Sequence, residues 1–81
     1  MARVLLFGRL RDVAGWRERP FDPVPATLAA LKALVGAGDA DLAEALAAPG
    51  VSAAVNRVLV RGDCPLSDDA EVAFMPAMSG G

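Results

Sequence analysis

The pattern of apolar residues along the chain predicts five short β-strands. The segment RVLLFG, residues 3–8, is rich in branched and aromatic residues and closes on glycine, a composition typical of a strand. In WRERPF, residues 16–21, large apolar and charged residues alternate before a proline, which indicates an edge strand that pairs with the first strand. The other three strands are predicted in SAAVN, RVLV and EVAFMP, residues 52–56, 57–60 and 71–76.

Leucines at helical spacing predict one main helix and a shorter helix after it. Thr27 is a good N-cap for the main helix, over residues 28–35. The apolar stripe of this helix is formed by Leu28, Leu31, Leu34 and Val35. Asp41, followed by Glu44, resembles a capping box for the short helix over residues 42–48, with Asp in place of the usual Ser or Thr.

The order of these elements predicts an α+β domain in which one layer of helices packs on one sheet. The charged segment RLRDVAG, residues 9–15, predicts a short connection of about one helical turn between the first two strands. We expect residues 1–76 to form a single domain and residues 77–81 to form a flexible C-terminal tail.

Alternation along the strands divides their side chains between two faces of the sheet. On the core face, which the helices cover, we expect Val4, Leu6, Val58, Val60, Val72 and Phe74. On the other face, called the open face here, we expect Leu5, Phe7, Leu59 and Met75. Four large apolar side chains from three strands favour a partner-binding patch. Coverage by loops, or ordinary exposed apolar surface, is the alternative.

The C-terminal segment MPAMSGG has an unusual composition for the end of a domain. Pro76 stiffens the exit from the last strand, and an extended chain from Pro76 to Gly81 reaches about 20 Å. Met78 is apolar, which suits burial of the tail in a partner. Because Gly80 and Gly81 lack a Cβ atom, this end fits a narrow channel and exposes its carboxyl group. A frayed terminus without a function is the alternative.

Composition and charge remove several classes of function. The chain has 8 basic and 10 acidic residues, a net charge of −2 and no basic run, which argues against a nucleic-acid partner. Without histidine and with one cysteine, Cys64, it cannot assemble the usual zinc ligands or a Cys–His pair, so we predict no metal site. No apolar run approaches the roughly 18 residues of a membrane span, and no secretory signal is evident. We therefore expect a soluble cytoplasmic protein that does not bind membranes.

Three stretches of the chain together resemble a known family. They are VLLFGRLRDVAG at the start, AAVNRVLV in the middle and DCPLSDDAEVAFMPAMSGG at the end. In these stretches the chain is similar to the small subunit of molybdopterin synthase, a ubiquitin-like family of sulphur carriers. The resemblance implies a β-grasp fold, in which a mixed sheet has its first and last strands adjacent and parallel at the centre.

The resemblance also implies the chemistry. The carboxyl group of Gly81 would be adenylated by an enzyme similar to those that activate ubiquitin, and then converted to a thiocarboxylate. The tail, with Gly80, Ser79 and Met78, would next enter the large synthase subunit, where sulphur passes to a cyclic pterin precursor. Because the adenylating enzyme consumes the ATP, no cofactor is expected on this chain. The chain would be the sulphur-carrying subunit of a heteromeric sulphurtransferase and not catalytic alone.

Partner-facing positions follow from the same resemblance. Phe7 and Leu59 match apolar positions that the family places against its partners, as the open face also suggests. Arg11 matches a basic position and would pair with an acidic group of a partner, although a solvated surface charge is an equal alternative. Met75 stands where an aromatic residue is common in the family.

Two other functions stay open on the sequence. The same carrier chemistry could serve thiamine thiazole synthesis or protein modification, although thiazole carriers are usually shorter and lack most of the insertion at residues 39–49. A function of another class is an interaction module whose open face binds a partner while its tail is inert.

Overall fold

The computed structural model describes residues 1–77, and Met78, Ser79, Gly80 and Gly81 lie outside the described residues. The strands are β1 (Ala2–Leu6), β2 (Glu18–Phe21), β3 (Ser52–Val55), β4 (Val58–Val60) and β5 (Glu71–Met75). The helices are α1 (Gly8–Ala14), α2 (Leu28–Gly36) and α3 (Ala40–Leu46). All five predicted strands are present, and the α+β class is confirmed.

The strands form one mixed sheet in the order β2-β1-β5-β3-β4. At its centre β1 and β5 pair in parallel, while β1–β2, β3–β4 and β3–β5 are antiparallel pairs. This confirms that the first and last strands are parallel neighbours and that β2 is an edge strand. The second edge is the three-residue strand β4.

The predicted single turn between β1 and β2 is wrong, because this segment forms the seven-residue helix α1. Leu10 is buried, and Val13 and Ala14 pack against the core from the same side of the helix. Their spacing of three and four residues is helical. The helix ends at Gly15, which is left-handed with φ 82° and donates its N–H to the carbonyl of Arg11.

Helix α2 begins where predicted, but its apolar stripe is narrower. The hydroxyl oxygen of Thr27 accepts a hydrogen bond from the Ala30 N–H at 3.2 Å, which confirms the N-cap. Leu28, Leu31 and Val35 are buried, whereas Leu34 is 43% exposed. Six residues after Leu28, at about 100° per residue, Leu34 lies outside the buried stripe, so its assignment to that stripe was wrong.

Helix α3 begins earlier than predicted, and its cap is a different residue. The side chain of Asp39 accepts a hydrogen bond from the Leu42 N–H at 3.1 Å, and the helix runs from Ala40. Asp41 lies in the first turn and is not the cap. Leu42 and Leu46 lie one helical turn apart on the buried side of α3.

The centre of the core is formed where the core face of the sheet meets the helices. Val4, Leu6, Val72 and Phe74 are all buried, as predicted. Val60 is half-buried against this cluster. Val58 is 64% exposed, so its place in the core was wrong. Val58 belongs to the edge strand β4 and pairs with Val55 of β3. This pair lies at a corner of the sheet that the helices do not cover.

The loop before β5 is attached to the start of α2. The Asp63 carboxylate accepts hydrogen bonds from the Ala29 N–H at 2.8 Å and from the Cys64 N–H at 2.9 Å. The Leu28 N–H donates to the Cys64 carbonyl at 2.9 Å. These bonds satisfy amides at the N-terminus of the helix and hold the loop on it.

We expect Asp39→Ala to lower the free energy of unfolding by about 1 kcal/mol, because the Leu42 amide loses its side-chain acceptor. The matched control Asp41→Ala should change it by less than about 0.5 kcal/mol. Urea denaturation followed by the fluorescence of Trp16, the single tryptophan, measures both values. Equal losses in the two variants would contradict the assignment of the cap.

Candidate functional site

The middle of the open face is a floor of alanines between two leucines. In the strand register Leu5 lies beside Ala73, Ala73 beside Ala54, and Ala54 beside Leu59. Leu5 is half-buried and Leu59 is 69% exposed. Three strand spacings, about 14 Å, separate the two leucines. The face is therefore low in the middle and raised on both sides, a shape that can receive an apolar partner.

A second part of the open face lies where the chain leaves the sheet. Met75, the last residue of β5, pairs with Ser52 of β3 and is half-buried. Phe7 continues the line of β1, because its N–H donates to the Phe74 carbonyl at 3.2 Å. Its side chain is 47% exposed. Phe7 and Met75 therefore border the point from which the tail departs.

Arg11 joins this group from helix α1. Its side chain lines a shallow depression together with Leu5, Phe7, Arg17 and Glu18. Its Nε lies 3.9 Å from the Asp12 carboxylate, and both side chains are mostly exposed. Such an exposed pair contributes little, so the guanidinium can exchange Asp12 for an acidic group of a partner.

The opposite end of the open face is charged. The Arg3 guanidinium contacts Glu71 at 2.9 Å and Glu18 at 3.5 Å, and Arg57 lies 3.7 Å from the other oxygen of Glu71. The alternation of β1 and β5 places Arg3 and Glu71 on this face, but it does not reveal the ion pairs between strands. The open face thus has a charged end and an apolar end, and the tail leaves from the apolar end.

Two glycines border the start of the tail, and the sequence analysis missed both. Gly8 lies against Pro76, and Gly50 lies against Ala77. Each has a positive φ, +54° at Gly8 and +84° at Gly50. A glycine that follows a strand, and a Pro-Gly pair after a helix, are signals of a turn, but neither identifies what the glycine approaches.

The structure places Phe7 and Met75 beside the start of the tail, brings Leu5 and Arg11 together with Phe7 around one depression, and places Leu59 across the face from Leu5. The predicted tail residues Met78, Ser79, Gly80 and Gly81 lie outside the described residues.

Within residues 1–77, side chains of His, Cys, Asp and Glu form no group of three that could hold a metal ion. No helix in this range is both long and apolar enough to span a membrane.

Comparison with known proteins gives the chain a family. The model of the ThiS family matches residues 4–81. The chain belongs to the ThiS family. This ThiS-family chain is 37% identical to the molybdopterin synthase sulfur carrier subunit of Escherichia coli (strain K12) over 81 residues, 100% of both chains. The resemblance seen in the sequence is thereby confirmed.

A solved structure confirms the fold as well. The crystal structure of SAMP1 from Haloferax volcanii matches this ThiS-family chain with a TM-score of 0.72 and 26% sequence identity. The match covers 99% of this chain and 98% of SAMP1. The β-grasp, ubiquitin-like fold that the resemblance implied is therefore confirmed.

We expect Leu59→Glu to change the free energy of unfolding by less than about 0.5 kcal/mol, because the new carboxylate stays in water. Leu6→Glu, on the core face of β1, should leave the protein largely unfolded because it buries an unpaired charge. Circular dichroism during urea denaturation measures both. If Leu59→Glu unfolds the protein, the two faces of β4 have been assigned in reverse.

Proposed function

We propose that this chain is the sulphur-carrying subunit of a molybdopterin synthase, acting in molybdenum cofactor biosynthesis. The observation that carries the proposal is the 37% identity to the Escherichia coli sulfur carrier subunit, which extends over the whole of both chains. The ThiS-family match to residues 4–81 supports carrier chemistry in general. The apolar end of the open face, beside the start of the tail, supports delivery of the tail to a partner.

The reaction begins at the carboxylate of Gly81. One carboxylate oxygen attacks the α-phosphorus of ATP in an adenylating enzyme, and pyrophosphate leaves. The acyl adenylate is then attacked at its carbonyl carbon by a sulphide-equivalent donor, and AMP leaves with the original oxygen. Adenylation turns a poor leaving group into a good one. The product is a thiocarboxylate at Gly81, and ATP is consumed by the partner and not held by this chain.

Delivery depends on position more than on side-chain chemistry. The thiocarboxylate is itself the nucleophile, so the carrier has only to place it in the active site of the large synthase subunit. There the sulphur attacks a carbon of a cyclic pterin precursor and displaces an oxygen substituent, and water then cleaves the acyl–sulphur bond, which leaves the sulphur on the product and restores the carboxylate of Gly81. Tail residues Met78, Ser79 and Gly80 lead Gly81 into this site, and the glycines allow passage through a channel too narrow for side chains.

Docking of the open face would hold the tail at the entrance of that channel. Phe7 and Met75 lie at the apolar end beside the start of the tail, and Leu5 and Leu59 lie on the two sides of the alanine floor. Buried apolar anchors surrounded by polar residues are typical of partner-binding surfaces. Arg11, at the edge of this group, is suited to an acidic group of either partner.

The proposed chemistry is tested by the intact mass of the protein after incubation with ATP, a sulphur donor and the adenylating enzyme. We expect an increase equal to the replacement of one oxygen by sulphur. A variant that lacks Gly81 should show no increase. If the adenylating enzyme modifies another carrier but leaves this chain unchanged, the proposal is wrong.

The pathway is tested with the thiocarboxylate form and a large synthase subunit. We expect conversion of the cyclic pterin precursor to a dithiolene product. Formation of the thiocarboxylate without any product would indicate the same carrier chemistry in another pathway, such as thiazole synthesis. An unmodified tail together with intact partner binding would indicate an interaction module.

The docking surface is tested by two neighbouring residues of β4. Leu59 is 69% exposed on the open face, and Val58 is 64% exposed on the opposite face. We expect Leu59→Glu to weaken binding to the large subunit about tenfold or more, as for a buried anchor. The matched control Val58→Glu should change the Kd less than about threefold. Calorimetric titration measures both, and equal effects would argue against docking through the open face.

A further inference from the structure

The first residues after β5 lie between two glycines that come from different parts of the fold. Gly8 opens helix α1, directly after β1, and Gly50 belongs to the turn that follows α3 and precedes β3. Because β1 and β3 are the two neighbours of β5, their flanking turns reach the chain from opposite sides. Gly8 approaches Pro76, and Gly50 approaches Ala77. We call this arrangement the glycine cleft.

The two sides of the glycine cleft differ in how closely they fit. A Cβ atom at Gly8 would lie 3.0 Å from Cγ of Pro76, a distance that a small shift of the ring can relieve. A Cβ atom at Gly50 would lie 2.7 Å from Cβ of Ala77 and 3.5 Å from its Cα. The alanine methyl group has no rotamer to change, so only a backbone movement can relieve that contact.

The backbone on both sides of this contact is held in place. Before it, β5 pairs with β1 and with β3 as far as Met75, and the Phe74 carbonyl accepts the Phe7 N–H. The ring of Pro76 then fixes one backbone dihedral. On the other side, the Val51 N–H donates to the Ala48 carbonyl at 3.3 Å, which closes the turn that carries Gly50.

A positive φ alone does not explain a glycine at position 50. Gly38 and Gly62 also have positive φ, +82° and +76°, yet a Cβ atom at either would meet no atom within 4 Å. At those positions glycine serves the turn. At Gly50, with φ +84°, the backbone conformation and the approach of Ala77 both exclude a side chain.

We infer that the glycine cleft, and Gly50 above all, sets the direction in which the tail leaves the sheet. Gly50 is then a positioning residue for Gly81, because it acts through Ala77 and does not touch the reacting carboxyl group. This consequence rests on the proposed carrier function. A methyl group at position 50 moves Ala77 away from its place. The chain after Ala77 then starts in a different direction relative to the open face.

The kinetic test compares Gly50→Ala with Gly38→Ala, which loses a glycine of nearly the same φ without any contact to the tail. The measurement is pyrophosphate exchange by the adenylating enzyme at varied carrier concentration. We expect Gly50→Ala to raise KM about tenfold with kcat within about twofold, because part of the binding free energy is then spent on moving the displaced Ala77 back toward its position in the parent protein. Gly38→Ala should change neither value more than about twofold.

Relief of the contact provides the decisive control. Ala77→Gly removes the methyl group that Gly50→Ala would meet. The KM of the double variant should therefore fall most of the way back to the parent value. The KM of Ala77→Gly alone should be close to that of the parent protein. Recovery identifies the contact between positions 50 and 77 as the cause, since two independent effects would simply add. If Gly50→Ala behaves like Gly38→Ala, or if the double variant does not recover, the inference is overturned.

A second measurement needs no enzyme and also covers the case in which Gly50→Ala fails to fold. In the parent protein, the Ala77 methyl protons should show a nuclear Overhauser effect to the α-protons of Gly50. Its absence overturns the glycine cleft whether or not Gly81 is adenylated. If the effect is present and the parent protein is never adenylated, the carrier function is wrong while the path of the tail stands.

Discussion

The parallel pairing of β1 with β5 is the constraint on which the rest of the structure depends. Its register sets Val4 beside Val72 and Leu6 beside Phe74 on the core face. The same register sets Leu5 beside Ala73 on the open face. A slip of one residue would exchange the two faces, so burial of the core and exposure of the open face are two results of one pairing.

This pairing also explains how the apolar end of the open face and the start of the tail come to lie together. Because β5 is central, it is held by β1 on one side and by β3 on the other, and the chain leaves the sheet from a strand that is bonded on both edges. Phe7 ends the line of β1 beside this exit, and the turns after β1 and before β3 supply Gly8 and Gly50. A carrier in which β5 were an edge strand would have only one neighbouring turn with which to guide its tail.

The sequence analysis succeeded where a residue's role depends on its near neighbours. The N-cap Thr27 bonds three residues along the chain, and alternation assigned Leu5, Phe7, Leu59 and Met75 to the open face. It failed at Asp39, because two aspartates two residues apart both offer a cap and only packing of α3 selects between them. It also failed at Val58, whose alternation is that of a core residue but whose strand lies beyond the cover of the helices.

Local sequence was therefore sufficient to establish the five strands, the main helix, the division of each strand into two faces and, through resemblance, the family. The sequence predicted the pairing of β1 with β2, and the resemblance implied that β1 and β5 are parallel neighbours. The pairing of β3 with β5 and the residue register of every pair came only with the tertiary structure, because a period of two describes the two faces of a strand and carries no information on its neighbours. The same holds for the cap that Asp63 provides to Ala29 and for the contact of Gly50 with Ala77. Those pairs are far apart in the chain, and only the packing of the sheet and its turns brings them within reach.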